Sequence, residues 1–154
     1  MLPQSHIIIA THIHRNVKEK FNIELDKTSL IYGSIKPDIP FHSSGLPHFK
    51  PDSFNVICNQ IHQLAQSNLI YNKEFIEIFS KQIGIITHYI ADYFCVPHND
   101  RKKYKDHFIS HLQYENNLHK LYKSSNVIPV IKNTDFNMEN QNINTIKSII
   151  NTLH

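Results

Sequence analysis

The 154 residues, 40% hydrophobic and 19% charged with a formal charge of +3, describe one compact domain over residues 1–154. They exclude a disordered chain and a membrane span, and so mild a charge gives no argument for stable nucleic-acid binding. The unusual feature is twelve histidines, spread along the chain instead of gathered in a terminal run, which points to metal ligation or proton chemistry.

The opening Met1–His6 has no basic stretch and no long apolar run, so no leader is read and a cytoplasmic location is expected. Ser5 is placed to cap a helix over residues 6–21, with Ile8, Ile9, His12, Ile13 and Val17 on its inner faces. A short second helix is expected to end near Gly33. Pro37, Pro40, Pro47 and Pro51 forbid a regular helix over residues 34–51, which reads as an ordered loop of the kind that carries ligands. Asp52 and Ser53 offer a cap for a helix through Gln66. The longest helix is expected from Asn72 to Cys95, with Pro97 helping to end it. Another should span Tyr104 to Tyr122, residues 123–136 read as loop, and a last helix runs from Asn137 to Leu153. With no sustained strand-like alternation and no internal repeat, the fold class is all-α, a bundle of five or six helices. Cys58 and Cys95 sit in apolar helical stretches without thiolate-zinc spacing and read as buried free thiols. Tyr89, Tyr93 and Phe94 read as core, and His107 and Arg101-Lys102-Lys103 as solvated positions, the basic run also offering transient contact with an anionic membrane surface.

The chemistry concentrates in Thr87–His98. His88 and Asp92 are four apart, so they lie one turn above the other on one helix face and can offer two ligands to a single ion. His98 follows beyond the proline, where the chain can fold back. His111 and Glu115 repeat the spacing on the next helix. A lone pair of this kind is ordinarily a hydrogen-bonded surface pair. Here Asp92 lies among apolar and aromatic neighbours, where a buried carboxylate needs compensation, and the two pairs fall within about thirty residues. Metal is the reading that accounts for both.

His88-x3-Asp92-x5-His98 followed by His111-x3-Glu115 resembles the core pattern of the zinc-dependent phospholipase C family. Ser5–Ile9 resembles that family's first-helix histidine, Gly33–Asp38 its aspartate loop, and His48–Asp52 the histidine segment that follows. The likeness therefore runs over about residues 5–115, with His12, His14 and His42 as neighbouring alternatives upstream. It implies an all-α bundle of the zinc-dependent phospholipase C and single-strand nuclease type, shortened at its C-terminus, holding two or three zinc ions. Asp38, His48, His88 and Asp92 would hold one ion; His98, His111 and Glu115 a second; His6 and the bridging Asp92 a third, which in the family is completed by the N-terminal residue. That residue is a tryptophan in the family, and this chain has none, so the third site is the one least provided for. The implied function is a phosphodiester hydrolase using a metal-activated water, with phospholipid as the substrate class and Asp38 as ligand and catalytic carboxylate. A single-strand nuclease and a non-catalytic zinc-binding protein of the same fold are the alternatives, and mixed His/carboxylate ligands also admit iron or manganese.

Overall fold

The computed structural model describes residues 1–40, 45–96, 108–125 and 142–153. Their regular structure is six α-helices and one 3-10 turn, with no strand among the described residues. The order is α1 (Pro3–Phe21), α2 (Lys27–Ile35), the 3-10 turn Lys36–Asp38, α3 (Lys50–Ala65), α4 (Lys73–Tyr93), α5 (Phe108–Ser124) and α6 (Ile143–Leu153). The all-α bundle expected from the sequence is therefore observed.

Two helix starts differ from expectation for the same reason. Helix α1 begins at Pro3 and α3 at Lys50, each with proline in its first turn, and neither has a side-chain cap. Proline fits there because its missing N–H has no intrahelical partner in any case, and its fixed φ suits the helix. Ser5, Asp52 and Ser53 thus lie inside helices and are released from capping. Polar caps do start α2, where Asp26 accepts the Ser29 N–H at 2.6 Å, and α4, where Asn72 accepts the Phe75 N–H at 2.8 Å. Helix α4 ends at Tyr93, two residues before the expected Cys95. Helix α5 continues to Ser124, past the expected Tyr122. Residues 104–107 and 126–141, which include the expected starts of α5 and α6, lie outside the described residues.

Helix α2 also runs past Gly33, to Ile35. Gly33 is a crossing point and not a stop. A Cβ there would lie 2.2 Å from the Lys81 carbonyl oxygen, and one on Gly84 would lie 2.3 Å from that of Leu30. The two glycines let α2 and α4 cross backbone against backbone. Ala10, Leu25 and Leu30 form the core between α1 and α2, flanked from α4 by Phe79 and Ile83. On the other side of α4, Ile57, Ile86, Tyr89 and Tyr93 form a second core with Phe54 and Ile61 of α3. Helix α4 borders both cores, and its last turns carry the polar residues to where they meet. Tyr89 and Tyr93 are buried as expected, but Phe94, just past the helix end, is 41% exposed. Cys58 and Cys95 are buried and free. No helix among the described residues is long and apolar enough to cross a membrane.

Candidate metal centre

His88 and Asp92 are completely buried near the end of α4. The glycine crossing brings the Ser34 carbonyl of α2 within 2.8 Å of His88 Nδ1. Nδ1–H donates to that carbonyl, so a neutral His88 presents the lone pair of Nε2 inward. Asp38 ends the 3-10 turn that continues α2, and His48 lies on the segment between Gly45 and α3.

These four residues converge on one point. His48 Nδ1 stands 3.1 Å from His88 Nε2, 2.8 Å from Asp92 Oδ2 and 3.8 Å from Asp38 Oδ1. His88 Nε2 is 3.3 Å from Asp92 Oδ2 and 3.7 Å from Asp38 Oδ1. Ligands about 2 Å from a tetrahedral ion stand roughly 3.3 Å apart. The separations in the protein scatter around that value; His48, His88 and Asp92 form one group that could hold a metal ion, and Asp38 falls with His88 and His6 in another.

The other oxygen of Asp92 faces a second group. Oδ1 is 3.4 Å from Nε2 of His6, in the first turn of α1, and 2.7 Å from the Met1 amine. The His6 ring stacks on His88 with centroids 4.0 Å apart, and His6, Asp38 and His88 also offer atoms within 4.8 Å of one another. Asp92 thus joins two clusters through separate oxygens. Burial alone would raise its pKa, but the surrounding imidazoles of His48, His6 and His88, with the Met1 amine, prevail and hold it well below the usual carboxylate range. Burial also works against a charged His48, yet its bond to Asp92 wins and raises its pKa. For His6 burial prevails, and the pKa falls.

The α5 pair forms the far side. His111 Nε2 and Glu115 Oε1 are 2.6 Å apart and buried. Glu115 Oε1 also lies 3.0 Å from the Met1 amine, which therefore stands between Asp92 and Glu115. Burial opposes the charge on that amine, but the two carboxylates outweigh it and raise its pKa to about 10. One further contact ties α1 to α5: the buried Ser5 hydroxyl is 3.2 Å from His119 Nδ1, one turn beyond Glu115. His98, the remaining expected ligand, lies outside the described residues, as do His42, His107 and Arg101–Lys103. His14 bonds the Leu25 carbonyl at 3.2 Å and His12 pairs with Arg15 at 3.2 Å.

The polar atoms present fit a cation. Asp38 Oδ2 and both ring nitrogens of His6 are buried without hydrogen-bond partners. Leaving such atoms unsatisfied costs about 1–3 kcal/mol each, and a metal ion repays that cost with a bond. The donors are imidazole and carboxylate, the set that zinc accepts. Burial pushes the nearby Cys95 thiol up to about 12, so it stays protonated in the metal-free protein.

The model of the zinc-dependent phospholipase C family matches residues 5–154. The chain belongs to that family. No curated protein and no solved structure matches it. Membership places the chain among zinc-dependent hydrolases, and the buried His/Asp clusters are groups that could hold a metal.

The N-terminal residue, expected from the resemblance to complete the third site, is represented by the Met1 amine at Asp92. Reading the sequence missed two contributors. The Gly33–Gly84 crossing pairs residues half a hundred positions apart. The Ser5–His119 contact had one legible sign: His119 continues the stripe of His111 and Glu115 at the same four-residue step.

Proposed function

We propose that this protein is a zinc-dependent phosphodiester hydrolase that cleaves phospholipids in the manner of a phospholipase C. The observation that carries the reading is the convergence of Asp38, His48, His88 and Asp92 on a chain of this family. In this reading these four residues hold one zinc, His6 and Asp92 with the Met1 amine hold another, and His111 and Glu115 contribute to a third with His98. Bound zinc supplies Lewis acidity and lowers the pKa of a coordinated water towards 7.

The chain's own residues do the rest. The Ser34 carbonyl keeps His88 in the tautomer that ligates through Nε2. Asp92 stays ionised and, through its two oxygens, sets the spacing between neighbouring subsites. Asp38 turns Oδ1 towards His48 and His88 and keeps Oδ2 without a hydrogen-bond partner. Oδ2 is then the atom that orients the attacking water and accepts its proton as the water adds to phosphorus. The bond from phosphorus to the glycerol oxygen breaks, and that oxygen takes a proton from solvent water and leaves as diacylglycerol. The headgroup departs as a phosphate monoester, and Asp38 returns its proton to solvent.

The test is hydrolysis of phospholipid vesicles and of a soluble phosphodiester by zinc-loaded protein, wild type beside Asp38→Asn. The expected result is turnover by the wild type and a loss of at least about a hundredfold in the variant, with the fold retained. Wild-type turnover in Asp38→Asn would remove Asp38 from the chemistry. Zinc uptake with no turnover on any phosphodiester would leave a non-catalytic zinc-binding protein.

A further inference from the structure

We propose that Tyr89, Tyr93 and Ser53 are positioning residues that fix His48 for metal binding by pinning the backbone on both sides of it. The inference rests on the reading of the site as a metal centre. Of the four converging residues, His48 has the least support from regular structure. His88 and Asp92 are carried by α4, and Asp38 is carried by the 3-10 turn on the end of α2. His48 follows a loop in which Gly45 adopts a φ of 69°, and its side chain is 25% exposed. An imidazole so placed needs outside help to stay within hydrogen-bonding distance of Asp92.

That help comes from a second stripe on α4. Tyr89 and Tyr93 stand one turn apart, each next in sequence to one of the helix's two converging residues, so the tyrosine stripe runs beside the His88/Asp92 stripe. The Tyr89 hydroxyl donates to the Leu46 carbonyl at 3.0 Å, two residues before His48. Its ring also lies 5.4 Å from the ring of His48 and 5.4 Å from that of His88.

On the other side of His48, the Ser53 hydroxyl donates to the Phe49 carbonyl at 3.0 Å. A serine hydroxyl has one proton, so its 2.9 Å contact with the Tyr93 hydroxyl has Tyr93 as the donor. The result is a directed chain from Tyr93 to Ser53 to the Phe49 carbonyl. All three side chains are fully buried. The loop around His48 is therefore fastened at Leu46 and at Phe49 to the helix that carries His88 and Asp92, and the ligands share one frame.

The experiment measures zinc affinity by chelator competition, the absorption bands of cobalt(II)-substituted protein, and thermal unfolding. The proteins are wild type, Tyr89→Phe, Tyr93→Phe, Ser53→Ala and the Tyr93→Phe/Ser53→Ala double variant. Tyr89→Phe and Ser53→Ala should each weaken one equivalent of zinc by about ten- to a hundredfold, the range typical of residues that orient ligands, and shift the cobalt bands. Tyr93→Phe should do less, because Ser53 keeps its bond to Phe49. Added to Ser53→Ala, it should cost no further affinity, because it acts through Ser53. The two Tyr→Phe changes remove a single oxygen each and keep the test open if Ser53→Ala fails to fold. Folded variants with wild-type affinity and cobalt spectra would overturn the proposal. So would an affinity loss equal at every zinc equivalent and proportional to the fall in melting temperature, since that describes a merely structural role. A wild type that takes up neither zinc nor cobalt would overturn the metal reading itself, and this inference with it.

Discussion

The two sides of the site are built by different means. On the Asp92 side, α2 and α4 cross at paired glycines, α1 and α3 pack against α4, and the donor atoms stand 2.8 to 3.8 Å apart. On the Glu115 side, α5 packs on α1, and the Met1 amine, set between Asp92 and Glu115, and the Ser5–His119 contact add polar ties. A backbone crossing positions the first side, while the second adds a charged amine to its helix packing. A close-packed crossing resists small changes, whereas a bridging ammonium depends on its protonation. The two sides should therefore fail in different ways, and four changes probe that difference.

The largest effect is expected from Asp92→Asn. It removes the carboxylate that faces His6, His48, His88 and the Met1 amine, leaving buried cationic and imidazole groups without their counter-charge. Removing one member of a buried ion pair costs about 3–5 kcal/mol. Urea unfolding of metal-free protein should show a loss of that order, and the two zinc subsites facing the two Asp92 oxygens should both fail. Loss of only one of these two would contradict the bridging role.

Gly84→Ala comes next and strikes the packed side alone. Its Cβ would meet two backbone atoms, 2.3 Å from the Leu30 oxygen and 2.8 Å from the Ser34 nitrogen, and backbone cannot swing aside. Overpacking of this kind costs up to about 3 kcal/mol, from which alanine's better helix propensity returns about 1. A net loss near 2 kcal/mol should appear in unfolding. The distorted bond from His88 to Ser34 should weaken zinc on the Asp92 side. Unchanged stability would mean that the two helices are free to separate.

The charged side should be visible in the pH dependence of metal-free protein. The Met1 amine has its pKa raised from 8.0 to about 10 in the fold, so its contribution is complete below pH 8 and lost as pH rises through 10. That is worth about 3 kcal/mol. His48, also raised, adds a decline that begins above the ordinary imidazole value of 6.5. Asp92 and His6 are both lowered, so their contributions are present at neutral pH and disappear on acidification. Unfolding measured from pH 7 to 10 should fall in the wild type and fall less in Glu115→Gln, which removes one of the two charges holding the amine. Identical alkaline limbs would show that Glu115 does not hold the amine.

Ser5→Ala should do least. It deletes one hydrogen bond to His119 and costs about 1 kcal/mol. Because the lost bond ends on α5, the change should loosen His111 and Glu115 more than His88 and Asp92. Native-state hydrogen exchange of α5 against α4 would register the contrast, and equal changes in both helices would remove it.

The helices were legible in the sequence because their signals are local: apolar spacing and proline punctuation. The His88/Asp92 and His111/Glu115 pairs were legible for the same reason, each lying within one helical turn. Upstream, composition left His6, His12, His14, His42 and His48 as competitors, and resemblance to a family selected among them. The structure brings His6, Asp38 and His48 to Asp92 and places His12 and His14 on other partners. What stayed hidden was long-range or lay outside the side-chain alphabet. Gly33 read as a helix stop because a sequence does not show which backbone will press against it. Ser5 and Ser53 read as caps because the prolines just before them already begin the helices. Tyr89 and Tyr93 read as core and are core, but their hydroxyls also hold the loop around His48.

The most direct test of a metal centre is elemental analysis of tag-free protein after gel filtration in the presence of zinc. The account predicts two or three equivalents of zinc per chain, falling to one or none in Asp92→Asn. Well-folded wild-type protein that retains no zinc at neutral pH would contradict it.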